Sequence, residues 1–410
     1  MPRKLAPGAG SWAHTRTEVK IAPAESRILA DLETGVGNKY NAVLRLEIMN
    51  IKPRIGPLIL LCSLFYNPVW AQQSSGKHRV IIDQDSAGPG GTDQQSMLLL
   101  IQSPQTQVLG ITVVSGDAWL KDEIAHTLRM LELIQRTDIP VVAGAEYPLL
   151  RRKNEIELWE KQFGTVPWIG AWTPRLYHPP DQLGEMPEGK PTSKPLDEDA
   201  AHFLVRMVHR YPHEITIYAG GPMTNLALAI SIDPEFASLA KELVFMGASL
   251  NPKTDDPEFV NTPRHEFNLW FDPEAAHIVL MAPWKKIICT TVDISVKTRM
   301  TQELIDRVKA HDSPAARYVS TYARIRGKYN YLWDELAALA WLNPSLITAK
   351  DSRYLDIDLN RGAGYGDTLS WREEDKPKIV GPAIEIQVDL DTKRFYQEFV
   401  DLLGAPTPKP

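Results

Sequence analysis

The run Val80-Ile81-Ile82-Asp83-Gln84-Asp85-Ser86-Ala87-Gly88-Pro89-Gly90-Gly91-Thr92-Asp93 decides the fold class. Three consecutive β-branched residues predict a buried strand, and the Gly-rich stretch after them predicts a turn. Residues 96–102 then read as part of a helix, so the order is strand, turn, helix, the opening of a βα unit. Asp83 and Asp85 are two apart and point to the same side of an extended chain. Open α/β sheets bind ligands at the carboxyl ends of their strands. Asp83, Asp85 and Asp93 around such a turn therefore make a hard oxygen site suited to Ca²⁺ or Mg²⁺. The same residues also suit a structural role, Asp93 as a helix cap and Asp85 as a turn former.

Working outward, short β-branched runs alternate with longer helical patterns. Strands are predicted at residues 108–114, 140–142, 215–218, 243–246 and 287–292, and a helix through Ile124, Leu128, Leu131 and Ile134. The expectation is a single α/β domain, Rossmann-like, with a mostly parallel central sheet flanked by helices. Residues 151–195 differ, being rich in Pro, Gly and Trp with no lasting periodicity. A loop of that length in a compact domain is expected to be a lid or substrate wall. Trp159, Trp168 and Trp172 would either contact substrate there or pin the loop to the body.

The 410-residue chain has 23% charged and 43% apolar residues and a net charge of -6, with no Lys/Arg-rich stripe. That composition argues against a nucleic-acid polymer as partner. From Met49, Lys52 and Arg54 precede an apolar run over residues 55–65, and Val69-Trp70-Ala71 offers a small residue before Gln72. That order predicts a signal peptide at 49–71, too short to span a bilayer. Residues 1–48 are then expected to be a non-native upstream extension, and residues 72–410 the exported catalytic domain, periplasmic or secreted, with no stable membrane insertion after cleavage. Of the two cysteines, Cys62 falls in the signal and Cys289 in an apolar run, so the mature chain would hold one core thiol and no internal disulfide.

Further blocks follow in order: Ser103-Pro104, residues 108–117 ending in Ser115-Gly116-Asp117, Gly221-Pro222-Met223-Thr224-Asn225, Met246-Gly247-Ala248, Glu266-Phe267-Asn268, Asp272-Pro273-Glu274 and Trp333-Asp334. With the Asp83 turn, this ordered set resembles the inosine-uridine-preferring nucleoside hydrolases over residues 78–345. The resemblance implies calcium-dependent hydrolysis of the N-glycosidic bond of ribonucleosides, with a nucleoside or related glycoside as the small-molecule partner and a homo-oligomer as a possible assembly. By position it implies Asp85 as a Ca²⁺ ligand and acceptor of the attacking water's proton, and Asp93 as a bidentate ligand. Thr224 (through its backbone carbonyl) and Asp334 would complete the metal set. Asp83 matches a supporting position, and Asp117, Met246, Glu266 and Asn268 match ribose-contacting ones. Stabilising an oxocarbenium-like sugar suits such a carboxylate-rich pocket.

The pattern departs in two places. The family's Pro-Gly turn is longer here, and its paired Asp-Asp becomes Thr92-Asp93, which leaves Thr92 as an uncharged substrate-binding candidate. In an alternative alignment Asp93 takes the first position and Gln94 the second. Before Asp334, the pyrimidine-accepting branch has a His that can protonate the base; Trp333 matches the purine-preferring branch, where stacking aids departure. No His stands out as a general acid, although His265 precedes Glu266. Two rival readings stay open. One is a haloacid-dehalogenase-like phosphatase built on Asp83-Gln84-Asp85, and the other a metal-dependent sugar- or nucleoside-binding protein without catalysis. The export expectation is checked by sequencing the N-terminus of protein recovered outside the cytoplasm: it should begin at Gln72, and a start at Met1 would refute it.

Overall fold

The structure is a computed structural model that describes residues 76–174, 177–325 and 327–409. The segments 1–48 and 49–71 assigned above lie outside the described residues. Ten strands form one sheet: β1 (His78–Gln84), β2 (Thr106–Val113), β3 (Val141–Ala143), β4 (Leu196–Asp199), β5 (Ile215–Ala219), β6 (Glu242–Met246), β7 (Ile287–Thr290), β8 (Ile347–Ile357), β9 (Thr368–Trp371) and β10 (Ile384–Leu390). Their order is β4-β3-β2-β1-β5-β6-β7-β10-β8-β9. All pairings from β4 to β10 are parallel, and only β8 and β9 run antiparallel to their neighbours.

The central strands are apolar because both faces are covered. On β1, Val80 and Ile82 enter one core with the helices Thr92–Gln102, Trp333–Leu342 and Thr392–Gly404. Ile81 enters the other, with the helices Ala200–Arg210, Thr224–Ile232 and Pro273–Met281. Chain order reverses at β1: β2, β3 and β4 build outward on one side, β5, β6 and β7 on the other. The crevice where neighbouring connections diverge lies at the carboxyl ends of β1 and β5, where Asp83, Asp85 and Gly220 sit, and such crevices are where open sheets hold ligands.

The predicted strands are all present, with β7 ending at Thr290 because a short helix, Val292–Ser295, takes over. The edge strand β4 reads LDED and carries no apolar signal, and β8 mixes exposed charges into its alternation; neither was predicted. The stretch 151–195 contains a helix, Lys153–Phe163, that the sequence did not signal. Only Ile156 of it is buried, so no apolar stripe advertises it. Its first turn is held by the Glu155 carboxylate, which accepts from the Arg152 backbone N–H at 3.2 Å. Cys289 is buried in β7 as expected.

Trp172 stacks on Phe271 at 4.5 Å between centroids and meets Trp119 edge-on at 6.3 Å. This small core anchors the segment that carries Trp168. Trp172→Ala should cost about 3–5 kcal/mol of stability, read as a lower denaturant midpoint; a loss under about 1 kcal/mol would mean the segment is not fastened there.

Candidate active site

A cavity of about 1060 Å³ opens over the carboxyl ends of β1 and β5. Asp85, Thr92, Asp93, Asp117, Met246, Glu266, Asn268, Trp333 and Asp334 all line it. Residues up to 249 positions apart in sequence are thus brought to one space by the sheet crossing at β1.

Asp85 sits at its floor. Its Oδ2 accepts from the Asp117 backbone N–H at 3.1 Å. The chain passes so close that a Cβ on Gly116 would lie 2.0 Å from Asp85 Oδ2, and one on Gly221 2.8 Å from Oδ1. Two glycines therefore let two loops close on one carboxylate, as close backbone approach requires. Burial pushes the Asp85 carboxyl well above its usual range, and Asp117, Asp93, Glu123 and Asp334 push it further. Asp93 is raised likewise, by burial and then by Asp117 and Asp334. Asp334 is raised by burial and by Glu335; its carboxyl lies within hydrogen-bond reach of Asp93 and receives the Gln84 amide at 3.1 Å. Asp334 Oδ1 has no donor among the described residues.

Asp83 lies behind this group and not on the cavity wall. Its Oδ2 accepts from Thr112 at 2.5 Å and Asn225 at 2.9 Å, and burial raises its carboxyl to about 7 against those two bonds. Glu266 lines the cavity while its carboxylate accepts from the backbone N–H groups of Asn268, Leu269 and Ala248 at 2.9–3.2 Å. Burial lifts Glu266 to about 7 even so. Asn268 gives its amide to the carbonyls of Gly220 at 2.8 Å and Met246 at 3.2 Å. Trp333 opens the helix Trp333–Leu342 and is held edge-on by Tyr331 at 4.9 Å and Phe259 at 5.9 Å.

Thr224 opens the helix Thr224–Ile232. Its side chain is buried, and its hydroxyl donates to Asp272 at 2.7 Å. The segment lines the cavity through Gly220, four residues earlier, at the end of β5. Its neighbour Asn225 is tied to the site, since it bonds Asp83, the Val113 carbonyl and the Ala145 N–H. Thr92 reaches the cavity, but its hydroxyl is engaged: it donates to Glu335 and accepts from the Asp334 N–H at 3.3 Å. The alternative alignment through Gln94 is disfavoured, because Gln94 is buried off the cavity and accepts from the Tyr318 hydroxyl. His265 is also buried off the cavity, and desolvation with the nearby Arg151 pushes its imidazole down to about 3.

Residues 80–397 match the family described as inosine-uridine preferring nucleoside hydrolase. The chain belongs to that family. It is therefore a hydrolase acting on N-glycosyl bonds. A nucleoside hydrolase of 33% identity over 345 residues, named a probable uridine nucleosidase, occurs in Oryza sativa subsp. japonica; the match covers 80% of this chain and 98% of the relative. An uncharacterized Schizosaccharomyces pombe protein is 30% identical over 371 residues, with 86% and 91% covered. Among solved structures, a plant nucleoside hydrolase superposes with a TM-score of 0.64 at 25% identity, over 80% of this chain and 99% of that one. A purine-preferring ribonucleoside hydrolase from Gardnerella vaginalis gives 0.62 at 22% identity, over 80% and 98%, a likeness of fold.

Several cavity residues escaped the sequence reading. Glu335 follows Asp334 directly, and a second acid at the start of a buried helix is a usable signal. Trp168 donates its indole N–H to Asp117 Oδ1 at 2.6 Å, whereas Trp159 gives its own to the Gly362 carbonyl, away from the cavity. The segment around Glu188 lies in the stretch expected to be a lid or substrate wall and does line the cavity, whereas His126 had no signal.

The donor set fits a hard divalent cation. Asp93 and Asp334 need a proton or a cation between them, and Asp334 Oδ1 is an orphan acceptor. Among the described residues no three His, Cys, Asp or Glu side chains form a ready ligand cluster alone. A backbone carbonyl and substrate oxygens must then contribute, as the six to eight oxygens of Ca²⁺ allow. Burial raises Asp83 and Glu266 to about 7 and Glu335 to about 8, so without cation these carboxyls give up their protons only around and above neutral pH. Groups raised above their unfolded values stabilise fully below the ordinary carboxylate range and lose that contribution as pH rises through 7 to 8. The cation-free protein should therefore melt lower at about pH 8 than at about pH 5. Added Ca²⁺ should raise Tm more at the higher pH, because the ion competes with protons for Asp85, Asp93 and Asp334, whose carboxyls burial raises likewise. A calcium-independent Tm would count against the site.

Proposed function

We propose that this nucleoside hydrolase cleaves ribonucleosides to ribose and free base with Ca²⁺ as its cation, preferring purines. The observation that carries the reading is the convergence of Asp85, Asp93 and Asp334 on the floor of a cavity whose upper wall is aromatic. Asp85, Asp93, Asp334 and the Thr224 backbone carbonyl would hold the ion. Bound there, Ca²⁺ supplies Lewis acidity to a water and oxygen positions for sugar hydroxyls.

Asp85 takes the proton of the attacking water at C1′. Asp117 and Glu266 orient the sugar hydroxyls, and their charge opposes the positive charge that develops on the ring. Asn268 is locked by two carbonyls and so presents its remaining polar edge without rearrangement. Asp83, held by Thr112 and Asn225, fixes the strand end that aims Asp85. At about 1060 Å³ the cavity is larger than one nucleoside needs, so size does not select the base. Trp333, steadied by Tyr331 and Phe259, offers a broad face that suits a bicyclic ring better than a pyrimidine. Export to the periplasm or the medium is part of the proposal, supported by the Lys52–Ala71 pattern.

The test is sugar release from a panel of purine and pyrimidine nucleosides by the chain from Gln72, with Ca²⁺ and then with chelator. Release should require Ca²⁺ and fall at least about 10²-fold in Asp85→Ala. Trp333→Ala should lower the purine-to-uridine ratio of kcat/KM roughly 2- to 12-fold, the equivalent of 0.5–1.5 kcal/mol of aromatic contact. A wild-type preference for uridine would overturn the purine assignment. Calcium binding with no release from any nucleoside would favour the non-catalytic binding reading.

A further inference from the structure

One wall of the cavity is the helix Leu120–Leu133, crossed by the segment around residues 178–188. His126 of that helix lines the cavity and is nearly buried. Its Nδ1 is hydrogen-bonded to the Glu188 carboxylate, which is itself buried and keeps Oε2 without a partner among the described residues. Arg129 fixes that segment by donating Nε to the Glu188 backbone carbonyl at 2.9 Å. The Nε2 tip of the ring is aimed at the glycine turn: a Cβ on Gly88 would stand 3.3 Å from Nε2, nearer than to either neighbouring ring carbon. Nε2 makes no hydrogen bond among the described residues.

A carboxylate on Nδ1 fixes the ring's orientation and tautomer, leaving Nε2 as the atom that exchanges a proton. The reaction needs such a group. When the C1′–N bond breaks, the electron pair goes to the base nitrogen, and Trp333 has no proton of suitable acidity to give. His265, the sequence candidate, is off the cavity.

We propose that His126, oriented by Glu188, is the general acid that protonates the departing base, an assignment that rests on the nucleoside hydrolase reading above. The step balances: water adds its oxygen to C1′ and gives one proton to Asp85, while His126 gives one proton to the base. Exchange with solvent resets both groups. The other titratable or charged groups on this wall are Asp122 and Arg129 from the same helix, Glu185 and His178 from the crossing segment, and Tyr318 from the helix Pro314–Tyr322. His178 Nε2 and Asp122 Oδ2 pair at 3.0 Å, and Asp122 Oδ1 accepts from the Gly184 N–H at 2.7 Å. The segment is thus fastened independently of His126.

The experiment compares inosine and uridine with p-nitrophenyl riboside, whose leaving group departs as a stable anion and needs no proton. His126→Gln should lower kcat on the nucleosides about 10²-fold or more while kcat on p-nitrophenyl riboside stays within about threefold. Glu188→Gln should show the same selectivity with a smaller loss. Equal losses on both substrates would assign His126 to structure alone, and no loss on the nucleosides would remove it from the reaction; either result overturns the proposal. A wild-type enzyme that cleaves p-nitrophenyl riboside but no nucleoside also overturns it, and with it the ribonucleoside substrate, while glycosyl hydrolysis stands. Cleavage of neither substrate refutes the hydrolase reading first.

Discussion

The structure is organised around negative charge that the protein does not neutralise by itself. Asp85, Asp93 and Asp334 are buried together, and the charged groups that act most strongly on them are other carboxylates. Buried like charges cost several kcal/mol each unless a proton or a cation intervenes. The surrounding groups hold the cluster in place without discharging it. Gln84 and Asn225 meet Asp334 and Asp83 with neutral amides, and Gly116 and Gly221 bring backbone against Asp85 where any side chain would collide. Neutral, rigid partners keep the oxygens aimed and leave their charge for a metal and for a sugar that turns cationic.

The parallel sheet makes this concentration possible. Asp85 follows β1, Gly220 follows β5 and Met246 closes β6, and these strands lie side by side. Because they are parallel, their carboxyl ends open on one edge. Asp334 comes from a helix packed on the same core as Val80 and Ile82, so the first and last carboxylates are fixed by one hydrophobic contact surface. Packing thereby bears the electrostatic cost that the floor imposes.

How far this was legible in the sequence follows from the kind of signal each part carries. The central strands are buried on both faces and declared themselves as β-branched runs. The floor carboxylates declared themselves by the Asp-x-Asp spacing at a strand end and by ordered blocks such as Glu266-Phe267-Asn268. Thr224 had only a positional signal, because a ligand that acts through its backbone carbonyl leaves no trace in residue type. The charged strands β4 and β8 and the helix Lys153–Phe163 were invisible for a related reason, since they bury too little apolar surface to impose a period. Glu188 lies in a Pro- and Gly-rich segment, and its partnership with His126 spans 62 residues, beyond any local pattern.

That division has a functional meaning. The sugar end is built from strand termini, where register fixes every oxygen and change is costly. The base end is built from Trp168, Phe259, Tyr331, Trp333 and the His126–Glu188 wall, most of them on loops or helix starts. Loops accept substitution far more readily than strand ends. The strand-end floor thus carries the carboxylates, and the loop-built wall carries most of the aromatic surface. Thr92 and Glu335 stand at the border between the two. Position 92, a carboxylate in the family pattern, is here a hydroxyl bonded to the Glu335 carboxyl across the cavity edge. An acidic group thus remains beside this position, carried by a helix start in place of the turn. The arrangement keeps a carboxyl group at this border while the longer 86–91 turn presents Gly88 to His126.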